Sequence, residues 1–384
     1  MSYLSVLRIP GAAAFFATTA IGRLGVSMYG LSVVLAGVAA YGDYVRAGLV
    51  GGVFAASEAV GGTLVGRFAD RAGQGRALPV IAVVHLAALG GLVAALATAA
   101  PAGVAMVAAA AAGAGVPQLG ALAAARWSHL LHGDPRIDAA FALESLANDA
   151  AFIAGPLAAS GAVVLLAPAA GVAVAGALVV GATLGLALQR RTMPPGQPAG
   201  PSRTVASGPA TPLVALGAAN VLLGLLFGTT QLAVTALAEA HGRMGLAGVY
   251  YLTMSAGSLV GSALYGTVRW RAAPWLRFLA AGALVAAGAV LLPVAAFPAL
   301  FAVGLGVGPV IIVAGTLVEA GVPRGRLTQA FALMSALSAA GIALAGIVGG
   351  AVVEERGHAG GFALIVAYGI GLCLLPLALR RVSG

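Results

Sequence analysis

The sequence predicts an all-α membrane protein with twelve transmembrane helices in two related six-helix bundles and with both termini in the cytoplasm. Three observations support this prediction: a nearly uncharged composition, a one-sided distribution of arginine, and an internal repeat. Apolar residues make up 61% of the 384 residues and charged residues only 8%, whereas a water-soluble domain carries about 25% charged residues. The composition therefore excludes a soluble domain.

The predicted helices are apolar runs separated by glycine, proline and charged residues. A membrane crossing needs about 20 such residues, and each run is close to that length or longer. The first run continues past Arg23 without a convincing cleavage site, so we interpret it as an uncleaved helix rather than a signal peptide. The predicted spans are 11–40, 46–66, 78–99, 103–123, 138–165, 170–188, 212–238, 246–268, 275–296, 298–319, 328–352 and 361–379.

The arginines set the orientation of these helices. If the N-terminus lies inside, sixteen of the 20 basic residues fall in cytoplasmic loops, Arg46, Arg243 and Arg356 fall outside, and Arg23 lies within the first helix. Arginine concentrates in cytoplasmic loops of membrane proteins, so both termini are predicted to be cytoplasmic. The high sequence pI does not indicate nucleic-acid binding, because the arginines form no continuous basic face.

The chain also repeats itself. Residues 140–145, Ala-Phe-Ala-Leu-Glu-Ser, recur as residues 330–335, Ala-Phe-Ala-Leu-Met-Ser, and Val60-Gly61 recurs as Val260-Gly261. A proline-rich segment lies between the two copies and is typical of an extended linker. The repeat predicts an N-terminal bundle, a cytoplasmic linker and a C-terminal bundle, with boundaries 1–188, 189–211 and 212–384.

The charged turn between the second and third helices carries the most specific motif. Residues 66–78 read Gly-Arg-Phe-Ala-Asp-Arg-Ala-Gly-Gln-Gly-Arg-Ala-Leu and resemble the signature loop of the major facilitator superfamily. The resemblance implies a bacterial transporter of the cytoplasmic membrane whose two halves rock around a site near mid-membrane. It also implies a cytoplasmic gate formed by this loop and the start of the eleventh helix, with Gly66, Asp70, Arg71, Gly73, Arg76 and Thr328 as its residues.

Four charged residues lie well inside predicted helices, where each costs at least about 2.5–3.5 kcal/mol. They are Arg23, Glu58, Glu144 and Asp149, and we regard them as candidates for proton coupling. Glu58 either exchanges a proton or stays neutral and hydrogen-bonded. Arg23 needs Glu144 or Asp149 as a partner, and a fixed ion pair is favoured over a titrating switch. His85 is interpreted as a helix-end or interfacial histidine.

Several glycines and prolines are candidates for gating hinges, because proline frees a carbonyl group and lets a helix bend. Residues 113–117 in the fourth helix parallel residues 304–309 in the tenth. Tight packing of small residues is the alternative explanation. The candidates are Pro117, Pro156, Gly308 and Pro309.

Gly155-Pro156 also resembles a motif of proton-coupled exporters in this superfamily. The glycines that follow in those exporters are replaced by Ala158 and Ala159, and residues 102–116 lack their helix-4 arginine. The resemblance nevertheless favours proton-driven export of a drug or metabolite.

No sequence motif predicts an enzyme, a metal site or a cofactor, and the single Cys373 excludes an intrachain disulfide. We therefore expect a monomeric secondary transporter that carries a small organic molecule, and we expect protons and the lipid bilayer as its other partners. The sparse charge favours an amphipathic or uncharged substrate. Proton-coupled uptake of a neutral solute such as a sugar is one alternative, and a non-transporting sensor of the same fold is another.

Overall fold

The computed structural model describes the backbone of residues 6–131, 134, 136–195, 210–267, 272–321 and 327–380. Three predicted site residues, Asp70, Asp149 and Thr328, have side chains outside the described part. The described residues form α-helices and one short 3-10 turn, Arg190–Thr192, without any strand. The helices are α1 Ala12–Tyr41, α2 Tyr44–Ala72, α3 Gln74–Ala97, α4 Ala102–Ala114, α5 Leu119–Leu130, α6 Ile137–Leu165, α7 Ala170–Leu188, α8 Ala210–Ala240, α9 Leu246–Thr267, α10 Pro274–Val290, α11 Ala296–Gly321 and α12 Leu327–Arg380.

The all-helical prediction is confirmed, and every predicted span contains helix, although the ninth ends at Val290 instead of residue 296. Nine helical stretches of the described residues are long and apolar enough to cross a membrane. The number of twelve crossings and the cytoplasmic position of the termini remain predictions.

The fourth predicted helix is broken in the structure. It divides into α4 and α5, because Pro117 has no N–H and the Val116 N–H donates to Gly113 O at 3.1 Å, one residue short of the regular α-helical acceptor. The span also continues to residue 130 instead of ending at 123. Arg126, which is predicted to lie in a cytoplasmic loop, therefore lies in a helix instead and is fully buried.

The last two predicted helices form one run, α12, interrupted only at Gly357. A straight helix of its 54 residues would measure about 80 Å, far beyond the ~30 Å of a bilayer core. Gly357 breaks the run with φ 63° and ψ −161°, a conformation open mainly to glycine. The predicted loop between residues 352 and 361 thus shrinks to one residue between arms 327–356 and 358–380.

The chain forms two compact units that differ from the halves of the sequence repeat. One contains the described residues of 1–36 and 57–202, and the other contains those of 37–56 and 203–384. Helix α2 consequently runs through both units. Its first part packs in the second unit, where a Cβ atom added at Gly48 would lie 2.6 Å from the Gly346 carbonyl oxygen and one at Gly52 would lie 2.9 Å from Ala343 Cα. Small residues allow helices to approach this closely in membranes.

The internal repeat is visible as the same contact in each unit. In the first unit a Cβ atom at Gly61 of α2 would collide with the Ala114 carbonyl oxygen of α4. In the second unit a Cβ atom at Gly261 of α9 would collide with the Leu305 carbonyl oxygen of α11. These four residues occupy matching positions of the sequence repeat, so the two copies use equivalent glycines for equivalent helix contacts.

Candidate functional site

Arg23, Glu144 and Trp127 form a buried charged network in the first unit. Arg23 Nη2 forms an ion pair with Glu144 Oε2, and Arg23 Nη1 donates to the Glu144 carbonyl oxygen at 2.7 Å. Trp127 Nε1 donates to the other carboxylate oxygen, Oε1, at 2.7 Å. The side chains of Arg23 and Glu144 are only 9% and 8% exposed. The sequence left both Glu144 and Asp149 open as partners, and the structure pairs Arg23 with Glu144.

Neighbouring residues hold this network in place. Phe15 of α1 packs edge-on against the Trp127 indole with ring centroids 4.5 Å apart, which fixes the direction of its N–H. Gly120 of α5 lies beside the guanidinium, and a Cβ atom there would be in ordinary van der Waals contact, 3.6 Å from Arg23 Nη2. A buried ion pair is tolerated when hydrogen bonds satisfy both partners. The geometry therefore favours a fixed ion pair.

A second polar cluster lies on helices α1, α2 and α3. The Tyr29 hydroxyl lies 2.7 Å from His85 Nε2, and both residues are at most 1% exposed. Glu58 is half-buried, and its charge interacts with the Tyr29 hydroxyl. The helix-end interpretation of His85 is wrong: α3 begins at Gln74 rather than at residue 78, so His85 lies about three turns into the helix.

The second ring nitrogen of His85 contacts a backbone carbonyl group at the break between α4 and α5. His85 Nδ1 lies 3.1 Å from the Ala112 carbonyl oxygen. In a regular helix this carbonyl would accept from the Val116 N–H, which here donates to Gly113 instead. The sequence gives no signal for this cluster, because it depends on which face of α1 meets α3.

Arg126 forms a third buried network, and sequence reasoning missed it. The guanidinium donates to Gln74 Oε1 at 2.9 Å and to Thr192 Oγ1 at 2.8 Å. It also donates to the carbonyl oxygens of Leu186 at 2.7 Å and Gln189 at 3.1 Å, which lie at the negative end of the α7 dipole. The network ties α5 to the start of α3 and to the segment that follows α7.

The described part of the gate motif surrounds the turn between α2 and α3. Gly66 lies in α2, Gly73 joins the two helices with φ 76°, and Arg71 and Arg76 are exposed. A positive φ explains why the motif needs glycine at position 73. The side chains of Asp70 and Thr328 lie outside the described part, so the gate contact stays a prediction.

The hinge candidates differ in their surroundings. Pro117 lies at the break between α4 and α5, whereas Pro156 and Pro309 lie inside continuous helices. A Cβ atom at Gly308 would collide with Ser258 and Ser262, so this glycine serves tight packing. Gating by any of them remains a prediction.

A scan against protein-family models and a search of curated proteins found no match. Among the residues that the structure describes, no group of three His, Cys, Asp or Glu side chains could hold a metal ion.

Solved structures of transporters resemble the chain over nearly its whole length. A mutant of the nucleoside transporter NupG is 17% identical, with a TM-score of 0.71 and coverage of 95% of this chain and 99% of that chain. The peptide transporter POT in complex with sulfate is 15% identical, with a TM-score of 0.73 and coverage of 100% and 98%. A bacterial homologue of the iron transporter ferroportin, in an inward-facing state, is 12% identical, with a TM-score of 0.69 and coverage of 98% and 100%. At these identities the likeness shows the fold alone: the chain is an integral multi-pass membrane protein with the fold of these transporters.

Proposed function

We propose that the protein is a secondary transporter that moves a small organic molecule across the bacterial cytoplasmic membrane by alternating access, as a proton-coupled exporter of drugs or metabolites. The observation that carries this proposal is the likeness, over nearly the whole chain, to solved transporters. The equivalent contacts of Gly61 and Gly261 support it further, because transporters of this kind are built from repeated halves.

The buried arginines of the first unit favour an uncharged or amphipathic substrate. Arg23 is held by Glu144, and Arg126 is held by carbonyl, amide and hydroxyl oxygens. Neither guanidinium is left to bind a phosphate or a dicarboxylate, which would require such cations.

The acidic residues favour Glu58 as the coupling group. Both carboxylate oxygens of Glu144 are already bonded, to Arg23 and Trp127. Glu58 forms no ion pair or side-chain hydrogen bond with any residue in the described part of the chain. A carboxyl group that no cation holds can gain and lose a proton as its surroundings change. Asp149 remains the second candidate.

One observation favours the alternative of proton-coupled uptake of a neutral solute. Helix α4 contains no charged residue, whereas the exporters that the motif resembles carry an arginine there. The direction of transport therefore has to be tested with both kinds of solute.

The test uses purified protein in proteoliposomes with an imposed pH difference. Ethidium serves as the amphipathic probe and radiolabelled glucose as the neutral probe. An exporter takes up ethidium into vesicles with an acidic lumen, whereas a symporter takes up glucose when the outside is acidic. Glu58→Gln should abolish gradient-driven accumulation of the probe yet leave its exchange without a gradient. The matched control is Glu355→Gln, which removes an exposed acid. If neither probe moves faster than in protein-free vesicles under either gradient, this proposal is wrong for both solute classes.

A further inference from the structure

We infer that His85 Nε2 is a proton-binding site of the first unit, with the Tyr29 hydroxyl as its reversible hydrogen-bond partner and Glu58 as its counter-charge. The inference rests on the proposed function and deepens it, because it adds a second proton-binding group beside Glu58. It starts from the two hydrogen bonds of a histidine that has no exposed surface.

The hydrogen bonds of His85 accommodate both protonation states. The Ala112 carbonyl can only accept, so His85 Nδ1 carries a hydrogen in either state. In the neutral imidazole, Nε2 accepts from the Tyr29 hydroxyl; in the imidazolium, Nε2–H donates to the Tyr29 oxygen. The added proton comes from the aqueous phase and forms a new N–H bond at Nε2, and the Tyr29 hydroxyl only rotates. Protonation therefore breaks no hydrogen bond of the imidazole ring.

The charges around His85 leave Glu58 as the counter-ion. Helices α4 and α7, which pack on α3, contain no titratable residue. Helix α1 contributes Tyr29 and Arg23, and the Arg23 charge is neutralised by Glu144. Helix α2 contributes Glu58, whose charge reaches the Tyr29 hydroxyl. A buried cation needs a nearby anion. Among the described acidic side chains of the first unit, Asp134 and Glu144 are paired with arginines, which leaves Glu58.

The site is also linked to the break between α4 and α5. His85 Nδ1–H bonds the carbonyl that the break exposes, and a Cβ atom at Gly115 would lie 3.5 Å from His85 Cα. Gly61, three residues after Glu58, packs directly on Ala114 at the same break. A proton on His85 and a change in the bend of this helix pair would therefore act on each other.

Nitrogen NMR of the full-length protein in lipid bilayers tests the inference without any substrate. The chain has five histidines, and the His85 signals are identified by their loss in His85→Gln. The pH is lowered from about 9 to about 3, well below the ordinary histidine value, because burial disfavours a charged imidazole. We expect the chemical shift of His85 Nε2 to change from that of a nitrogen without a hydrogen to that of a protonated nitrogen. An unchanged His85 Nε2 signal over this pH range would overturn the inference.

Two substitutions test the partners. Glu58→Gln removes the counter-charge, so the change at His85 should move to lower pH by about one unit, a tenfold loss of proton affinity. Glu355→Gln, far along the chain and exposed, should leave it unchanged. Tyr29→Phe should lower it as well; if that variant does not fold, Glu58→Gln decides alone. An unchanged His85 titration in Glu58→Gln refutes the assigned counter-charge.

These results separate the inference from the proposed function. If His85 binds a proton but no probe is transported, the proposed function fails alone. If transport is gradient-driven while His85 never protonates, the inference fails and the proposed function stands.

Discussion

The Arg23–Glu144 ion pair gives the sharpest prediction for stability. Arg23→Met leaves a carboxylate that is 8% exposed with only the Trp127 N–H as its remaining side-chain donor. Breaking a buried pair by removing one partner costs about 3–5 kcal/mol. We expect a loss of that size in the free energy of unfolding, measured by titration with a denaturing detergent in mixed micelles.

A double-mutant cycle identifies the partner. Glu144→Gln removes the charge but keeps an oxygen that can accept from Trp127. The double variant with Arg23→Met and Glu144→Gln should therefore lose less free energy of unfolding than the two single variants lose together. Residues in direct contact show coupling of about 0.5–3 kcal/mol, and a charged pair this deeply buried should lie in the upper part of that range. Arg23→Met combined with Asp149→Asn is the matched control and should be additive within about 0.5 kcal/mol. Additivity of the Glu144 pair, or equal coupling in both pairs, would refute the reasoning.

Three further predictions concern other parts of the fold. Arg126→Met should destabilise the protein and expose the segment after residue 189 to protease, because four oxygens lose their donor; an unchanged cleavage rate would contradict this role. Gly61→Leu should reduce the yield of folded protein and any transport strongly, whereas Gly90→Leu, with nothing within 4 Å of its added Cβ, should have little effect; equal effects would contradict the packing argument. Asp70→Asn should raise the labelling rate of cysteines introduced in the cytoplasmic cavity while expression stays normal, and an unchanged rate would count against a gate at this position.

The helical fold could be predicted from the sequence because the hydrophobic requirement of a membrane crossing is local. Each span needs only a long apolar run, and every predicted run contains helix in the structure. The break after α4 could not be placed, because a proline in an apolar run is compatible with either a kink or a full interruption. Pro156 and Pro309 lie inside continuous helices, whereas Pro117 lies at an interruption.

The polar contacts could be predicted only in part, because they depend on helix rotation and packing. The sequence required an acid for Arg23 but could not choose between Glu144 and Asp149, which lie five residues and roughly 140° apart on one helix. The bond between Tyr29 and His85 joins α1 to α3, and no sequence pattern specifies that pairing. The bond from Arg126 to Gln74 joins α5 to α3, and no sequence pattern specifies that contact either.

Helix α2, which is shared by the two units, has a consequence for dividing the chain. If residues 1–188 and 212–384 were expressed as separate polypeptides, the first fragment would carry residues 44–56, whose packing partners Ala343 and Gly346 lie in the second fragment. In the second fragment alone, the backbone at Ala343 and Gly346 would lose its packing partner and would face lipid. We therefore expect the two fragments to fold poorly when made singly and to recover each other when made together, with the first part of α2 completing the other fragment's bundle.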